Sequence, residues 1–167
     1  MQTMAPSIAL RPARPEDTAF QQAVYASTRA DELALVDWSP DQKMAFVLMQ
    51  FNAQATHYSN YYPGAESSII LRNETPVGRL IVDRSGDEIL LMDIALLPEH
   101  RHGGIGTCLI QALMAEARQS GKALRLYVET FNLAQRLYRR LGFTLVNESG
   151  IYGEMEWRPA PEGENRG

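Results

Sequence analysis

The chain has 167 residues, of which 45% are hydrophobic and 22% charged, a composition typical of one globular domain with its own core. Its formal net charge of −4 disfavours a nucleic-acid partner and mildly favours a cationic substrate, and its single cysteine excludes an internal disulfide. It lacks an apolar run of roughly 18 residues and a secretory pattern, so we expect a cytoplasmic protein with no membrane partner, and no Cys/His cluster has zinc spacing.

The first predicted elements are a short strand and two helices. The strand covers Ile8 to Arg11, and a helix follows, entered near Pro15. The second helix begins at Ser39, which can cap it, with Pro40 in its first turn and Gln42 completing a capping box. Its apolar residues recur at spacings of three and four and predict one buried face: Met44, Leu48, Phe51, Ala55 and Tyr58.

Three apolar runs then follow the Pro63-Gly64 break. They cover Ser68 to Arg72, Val77 to Asp83 and Ile89 to Leu97. Their connections are of hairpin size, so the spacing predicts an antiparallel meander of three strands.

A glycine-rich turn comes next. From Arg101 to Gly106 the chain reads Arg-His-Gly-Gly-Ile-Gly and continues directly into an amphipathic helix that ends at Ser120-Gly121. The buried stripe predicted for this helix is Ile110, Leu113, Met114 and Ala117. A helix start presents unpaired N–H groups and the positive end of the helix dipole, and glycines let an anion approach them closely. The junction therefore predicts a phosphate site.

Spacing separates three versions of such a site. A mononucleotide P-loop fails, because Thr107-Cys108 stands where Lys-Ser/Thr is required. A dinucleotide fingerprint finds Gly104 and Gly106, but its third glycine falls on Leu109. Glu129 nearly supplies the later carboxylate, so this version is weakened rather than excluded. The third pattern, Arg/Gln-x-x-Gly-x-Gly/Ala, is matched in full.

The C-terminal part is predicted as strand, helix and hairpin. Leu124 to Val128 forms the strand, and the helix runs from Asn132 to Leu141. The hairpin pairs Thr144 to Ser149 with Ile151 to Trp157. The strand, helix, strand passage through the glycine turn implies one parallel strand pair.

The glycine turn and a second block, FNLAQRLYRRLGF, resemble the two signatures of the GNAT superfamily of N-acetyltransferases. Matching positions in the second block are Ala134, Leu137, Tyr138, Gly142 and Phe143. The family's N-x-x-A spacing becomes N-x-A here, with Asn132. The resemblance covers most of residues 8 to 157.

This resemblance implies an α/β (α+β) fold. The expected architecture is a mixed, mostly antiparallel central sheet flanked by helices, with a splayed parallel strand pair at the cofactor site. We expect residues 1–158 to form a single domain and residues 159–167, rich in Pro, Gly and charge, to be a disordered tail.

The resemblance also implies direct acetyl transfer from acetyl-CoA, without a metal, to a primary amine of a small molecule or peptide. Residues implied in cofactor binding are Ile94, Ala95, Leu96, Arg101, His102, Gly103, Gly104, Ile105, Gly106, Thr107, Asn132 and Tyr138. Tyr138 would protonate the departing thiolate. The base is left open between Asp93, Glu129 and a water chain. Asp93 interrupts the apolar run ILLMDIALL, and a structural hydrogen bond would explain it equally well.

Acceptor specificity is expected from the first two helices and the last hairpin. The candidate substrate-binding residues are Arg29, Glu32, Glu129 and Tyr152, with Tyr61, Tyr62 and Trp157 as further candidates; most of them are equally well explained as solvent-exposed charges or packing. A non-catalytic acyl-CoA-binding regulatory module is the alternative function. A nicotinamide-dependent enzyme is disfavoured, because too few strands follow the glycines for a second nucleotide half. A homodimer is left open.

Overall fold

The computed structural model describes residues 7–130 and 132–160, which contain seven β-strands and four α-helices. In chain order these are β1 (Ile8–Pro12), α1 (Thr18–Leu33), α2 (Pro40–Tyr61), β2 (Ala65–Arg72), β3 (Thr75–Asp83), β4 (Ile89–Leu96), α3 (Ile105–Ser120), β5 (Leu124–Glu129), α4 (Ala134–Arg140), β6 (Thr144–Ser149) and β7 (Tyr152–Trp157). Two 3₁₀ turns, Pro15–Asp17 and Pro98–His100, precede α1 and the glycine turn.

The strands hydrogen-bond in the order β1-β2-β3-β4-β5-β7-β6. The pairs β1–β2, β5–β7 and β6–β7 are antiparallel, whereas β4 and β5 are parallel. The predicted mixed, mostly antiparallel sheet with one parallel pair is therefore confirmed.

The chain divides into two compact units. Among the described residues, the first unit comprises 7–81 and 93–105, and the second comprises 82–92, 106–130 and 132–160. Strands β3 and β4 therefore pass from one unit to the other. The single domain expected over 1–158 stays a prediction.

In the first unit, α1 and α2 share a cluster of buried side chains. Tyr25 and Leu33 of α1 join Val47 and Phe51 of α2, and the rings of Tyr25 and Phe51 meet edge to face, 5.8 Å apart. The predicted face of α2 is partly wrong, because Met44 and Ala55 are exposed. The buried face begins at Val47, and α1 decides which side of α2 is covered.

The second unit has a core of alternating strand residues. Leu124, Leu126 and Val128 of β5 are buried, and Leu126 stands opposite the buried Met155 of β7. On α3, Ile110, Leu113 and Ala117 are buried as predicted, whereas Met114 is only half-buried and Leu109 joins the buried set.

The remaining differences from the predicted elements lie at element ends: β2 begins at Ala65 rather than Ser68, and β3 begins at Thr75 rather than Val77. Helix α4 begins at Ala134 rather than at Asn132. Of the tail expected over 159–167, residues 161–167 lie outside the described residues. No helix in the described part of the chain has the length and apolar character needed to cross a bilayer.

Candidate functional site

The glycine turn presents a row of unpaired backbone donors. His102 and Gly104 have φ of +64° and +86°, so the backbone alternates into the left-handed region. Within the described residues, the N–H groups of His102, Gly103 and Gly104 donate no hydrogen bond. Helix α3 begins at Ile105, and the first N–H groups of a helix have no intrahelical acceptor. Successive unpaired amides in such a turn form an anion-binding concavity.

Packing does not explain the glycines of this turn. A Cβ added at Gly103, Gly104 or Gly106 would meet no atom within 4 Å, and among these three only Gly104 has positive φ. By contrast, a Cβ at Gly78 of β3 would lie 2.2 Å from the carbonyl oxygen of Ala95. The space beside the glycines of the turn is therefore open, and a ligand could occupy it where larger side chains would block it.

Arg101 enters the turn with its side chain already engaged. Its Nε donates to the carbonyl oxygen of Leu96 at 2.9 Å, and its Nη2 donates to Ser27 of α1. His102 is exposed, Ile105 is 4% exposed, and Thr107 lies half-buried in the first turn of α3.

Strand β4 leads to the turn, and its parallel ladder with β5 is short. The ladder pairs Ile89–Leu91 with Leu124–Leu126, after which β4 continues to Leu96 and β5 to Glu129. Ala95 is buried, and Ile94 and Leu96 are half-buried. Gly78 lets β3 approach Ala95 and Leu96 closely, which holds this end of β4 in place.

Asp93 forms an ion pair with a buried arginine. The Nε of Arg79 donates to Oδ2 of Asp93 at 2.7 Å, and the two side chains are 4% and 25% exposed. This ion pair therefore compensates the cost of placing the Asp93 carboxylate in an apolar strand. Oδ1 of Asp93 makes no hydrogen bond within the described residues.

Arg79 is the residue that sequence reasoning missed. Its guanidinium also donates to Gln54 of α2 and Gln21 of α1, and it lies 5.5 Å from the ring centre of Phe51. The signal was present: Arg79 interrupts the apolar run of Val77 to Asp83, as Asp93 interrupts its own strand. Opposite charges in two neighbouring apolar strands indicate a buried pair.

A cavity of about 310 Å³ lies at the C-terminal end of α2. It is lined by Tyr58, Ser59, Tyr62, Pro63, Ala65, Ser67 and Ile81. Of these residues, Tyr62 is one of the substrate-binding candidates predicted from the sequence. Burial, followed by the negative charge of Asp93, raises the pKa of Tyr58 to about 12. This hydroxyl therefore stays protonated at neutral pH.

In the second unit, Tyr138 is buried on α4, with 8% of its surface exposed. Its ring centre lies 5.8 Å from that of Phe143. Asn132 is exposed, and its Oδ1 accepts the N–H of Ala134 at 2.8 Å. Asn132 thus forms an Asx-type turn directly before α4, whose N-cap position is Leu133.

The acceptor candidates fall into separate groups. Arg29 is ion-paired with Glu32 at 3.2 Å, and it donates to the hydroxyl of Tyr25. Glu129 and Tyr152 are partners in the β5–β7 register.

The aromatic candidates differ in accessibility. Tyr61 is 71% exposed, whereas Trp157 is buried beside Gly142. Packing therefore accounts for Trp157. Among the described residues, no group of three or more His, Cys, Asp or Glu side chains is arranged to hold a metal ion.

The sequence is similar to those of known acetyltransferases. Residues 63–145 match the family model of the acetyltransferase (GNAT) domain. Over 95 residues the chain is 32% identical to the ribosomal protein bS18-alanine N-acetyltransferase of Haemophilus influenzae. That match covers 56% of this chain and 62% of the relative, so the chain spans about three fifths of the length of this curated protein.

Solved structures share the fold along most of the chain. The PaiA N-acetyltransferase of Thermoplasma acidophilum, in complex with coenzyme A, matches with a TM-score of 0.70 and 19% identity, covering 92% of this chain and 99% of that chain. The ribosomal-protein-S18-alanine N-acetyltransferase of Escherichia coli matches with a TM-score of 0.61 and 22% identity, covering 95% and 98%. At these identities the likeness establishes the fold.

Proposed function

We propose that the chain is a GNAT acetyltransferase, as the match of residues 63–145 to that domain model supports, and that it transfers the acetyl group of acetyl-CoA directly to a primary amine, with residues 1–158 acting as one acetyltransferase domain. The observation that carries this proposal is the glycine turn. Within the described residues, the amides of His102, Gly103 and Gly104 donate no hydrogen bond, and a Cβ on any of the three glycines would meet no atom within 4 Å. A diphosphate bound there would accept from these amides and face the positive end of α3.

The remaining cofactor contacts are proposed from the family pattern. The backbone of Ile94, Ala95 and Leu96 would run beside the pantetheine arm, and one of its N–H groups would donate to the thioester carbonyl. Such a donor stabilises the negative charge that develops on that oxygen. The short β4–β5 ladder supports this assignment, because β4 continues for five residues beyond Leu91.

The proposed reaction is a direct displacement. The amine nitrogen bonds to the thioester carbon, the carbon–sulfur bond breaks, and the thiolate takes a proton from Tyr138. The ammonium proton leaves to Asp93, to Glu129 or through water. Asp93 has an unpaired Oδ1 within the described residues, which supports it as the first base to test.

An α-amine is the acceptor class that we propose to test first. The Haemophilus relative is named for acting on an alanine of a ribosomal protein. Deprotonating an α-amine with pKa near 8 costs only about 1.4 kcal/mol at pH 7, against about 4.6 kcal/mol for a lysine side chain. An enzyme that acts on an α-amine therefore depends less on a strong general base than one that acts on a lysine side chain.

The proposal is tested by placing a negative charge in the turn. Gly106→Asp should weaken binding of CoA at least tenfold in calorimetry, because a carboxylate would occupy the cradle and repel the diphosphate. The fold should tolerate the change, because an aspartate in the first turn of a helix is stabilising.

Ala112→Asp, an exposed change of equal charge further along α3, is the matched control and should bind CoA like the wild type. Equal CoA affinity in the wild type and Gly106→Asp would contradict the proposed site. Tight CoA binding without thiol release from acetyl-CoA, across α-amine peptides, lysine peptides, polyamines and aminoglycosides, would instead favour the regulatory module.

A further inference from the structure

Arg101 stands first in the glycine-turn motif, where a cationic side chain is expected to attract the diphosphate. Two of its three guanidinium nitrogens donate hydrogen bonds within the protein. Nε donates to the carbonyl oxygen of Leu96 at 2.9 Å, and Nη2 donates to Oγ and the carbonyl oxygen of Ser27 at 3.2 Å and 3.3 Å. Both acceptors belong to the same compact unit as Arg101.

Ser27 is oriented to accept this bond. Its hydroxyl donates to the carbonyl oxygen of Val24 at 2.6 Å, so its lone pairs are left for the guanidinium. Val24 is completely buried in α1, which fixes this turn of the helix. The acceptor side of the contact is therefore held before any ligand binds.

Leu96 is the last residue of β4, and its carbonyl oxygen is the other acceptor. The next residue, Leu97, donates its N–H to Val77 of β3 at 2.8 Å. Arg101 itself donates its backbone N–H to Pro98 at 3.2 Å. The arginine thus ties the end of β4 and the side of α1 to the residue at which the turn begins.

From these contacts we infer that Arg101 and Ser27 are positioning residues for the cofactor turn. The Arg101–Ser27 bridge fixes the turn so that the amides after Arg101 point at one diphosphate, and the guanidinium is not itself the diphosphate ligand. This inference rests on the proposed function, because it assumes that CoA binds at the turn. It assigns to α1 a part in cofactor binding that the glycine motif does not contain.

The bridge and a direct charge contact predict different effects of substitution. A lysine at position 101 keeps the charge but cannot donate to Leu96 and Ser27 in the same planar geometry. If Arg101 contacted the diphosphate directly, Arg101→Lys would retain most of the affinity and Ser27→Ala would change nothing. If the bridge positions the turn, both variants weaken binding.

The experiment measures the CoA dissociation constant by calorimetry for the wild type, Ser27→Ala, Arg101→Lys and Arg101→Gln. We expect the dissociation constant to increase about 3- to 10-fold for Ser27→Ala. The increase should be larger for the two Arg101 variants, and of similar size in both. Thr28→Ala is the matched control: its hydroxyl also bonds back into α1, to Tyr25 at 2.6 Å, and Arg101 does not contact it. We expect its CoA affinity to be that of the wild type.

Two further readouts separate positioning from general loss of structure. The melting temperature without ligand should be similar for Ser27→Ala and Thr28→Ala, so that only CoA affinity distinguishes them. The salt dependence of CoA binding should keep its wild-type slope in Arg101→Gln, because no direct charge contact is removed.

Three outcomes overturn the inference. The first is equal CoA affinity in Ser27→Ala and Thr28→Ala. The second is wild-type affinity in Arg101→Lys, which would make the arginine a direct phosphate ligand. In both cases the proposed function survives, because the wild type still binds CoA. Absence of CoA binding by the wild type is the third, and it overturns the proposed function as well.

Discussion

Position 138 shows how one buried side chain has both a packing and a proposed chemical role. Tyr138 lies on the apolar stripe of α4, and its ring packs near Phe143. Packing alone would account for an aromatic ring here, but not for a hydroxyl, which needs a polar partner when buried. The proposed function gives that hydroxyl a role, which is protonation of the departing thiolate.

Replacing Tyr138 by phenylalanine separates the two roles. We expect Tyr138→Phe to reduce kcat by roughly 10²- to 10⁴-fold, the usual contribution of a general acid, while the CoA dissociation constant and melting temperature stay near wild type. Steady-state thiol release and calorimetry measure both. Tyr127→Phe, the same change at a residue of β5 that is 53% exposed, is the control. Wild-type turnover in Tyr138→Phe would remove the general-acid role.

Between elements, the Arg79–Asp93 pair joins β3 and β4 to both N-terminal helices. Arg79 contacts Asp93 of β4, Gln54 of α2 and Gln21 of α1. A guanidinium that is 4% exposed is stable only if its charge is balanced and its donors are used. Asp93 is therefore needed for the fold whether or not it also accepts a proton.

We expect Asp93→Asn to lower the free energy of unfolding by about 3 kcal/mol, the lower end for a broken buried pair because Asp93 is partly exposed. The double variant Arg79→Met/Asp93→Leu should recover most of this loss, since no buried charge is left. Urea unfolding measures both.

The same double variant tests chemistry apart from stability. If Asp93 is the base, the recovered fold should still have strongly reduced turnover. Stability of Asp93→Asn equal to that of the wild type would refute the structural role. Wild-type turnover in the stable double variant would refute the catalytic one.

Over the whole molecule, acid stability should depend on the Arg11–Asp17 pair. Both oxygens of Asp17 accept from Arg11, at 2.7 Å and 2.8 Å, and Oδ2 also accepts the backbone N–H of Arg14 at 2.8 Å. The hydrogen bonds from Arg11, then that from Arg14, lower the pKa of Asp17 to about 2. The pair fastens β1 to the entrance of α1.

Because this pKa is lower in the folded chain than the roughly 3.9 of an unfolded one, the stabilisation is fully present above about pH 4 and is lost as pH falls towards 2. We expect the stability difference between the wild type and Asp17→Asn to be constant at neutral pH and to shrink over that window. Chemical unfolding at a series of pH values measures it. In an Arg11→Met background most of the pH-dependent difference should disappear; a difference that persists there would show that another group is responsible.

Local features of this fold could be predicted from sequence because their determinants are neighbours in the chain. The capping box of α2 is present as expected, with Gln42 N–H donating to Ser39 Oγ at 3.2 Å and Ser39 N–H to the Gln42 side chain at 2.9 Å. The glycine turn, the order of the strands along the chain and the parallel β4–β5 pair likewise follow from spacing, although β2 begins before the predicted Ser68. These are choices of backbone conformation and connection length, made within a few residues.

Only the tertiary structure decided which partners the charged side chains take. Arg101 reaches Ser27 across 74 positions of sequence, and Arg79 reaches Gln21 across 58. The side of α2 that is buried, at Val47 rather than Met44, was decided in the same way, by the helix packed against it. A hydrogen bond or a contact depends on distance in space, and spacing along the chain does not contain that distance once the partners lie on different elements.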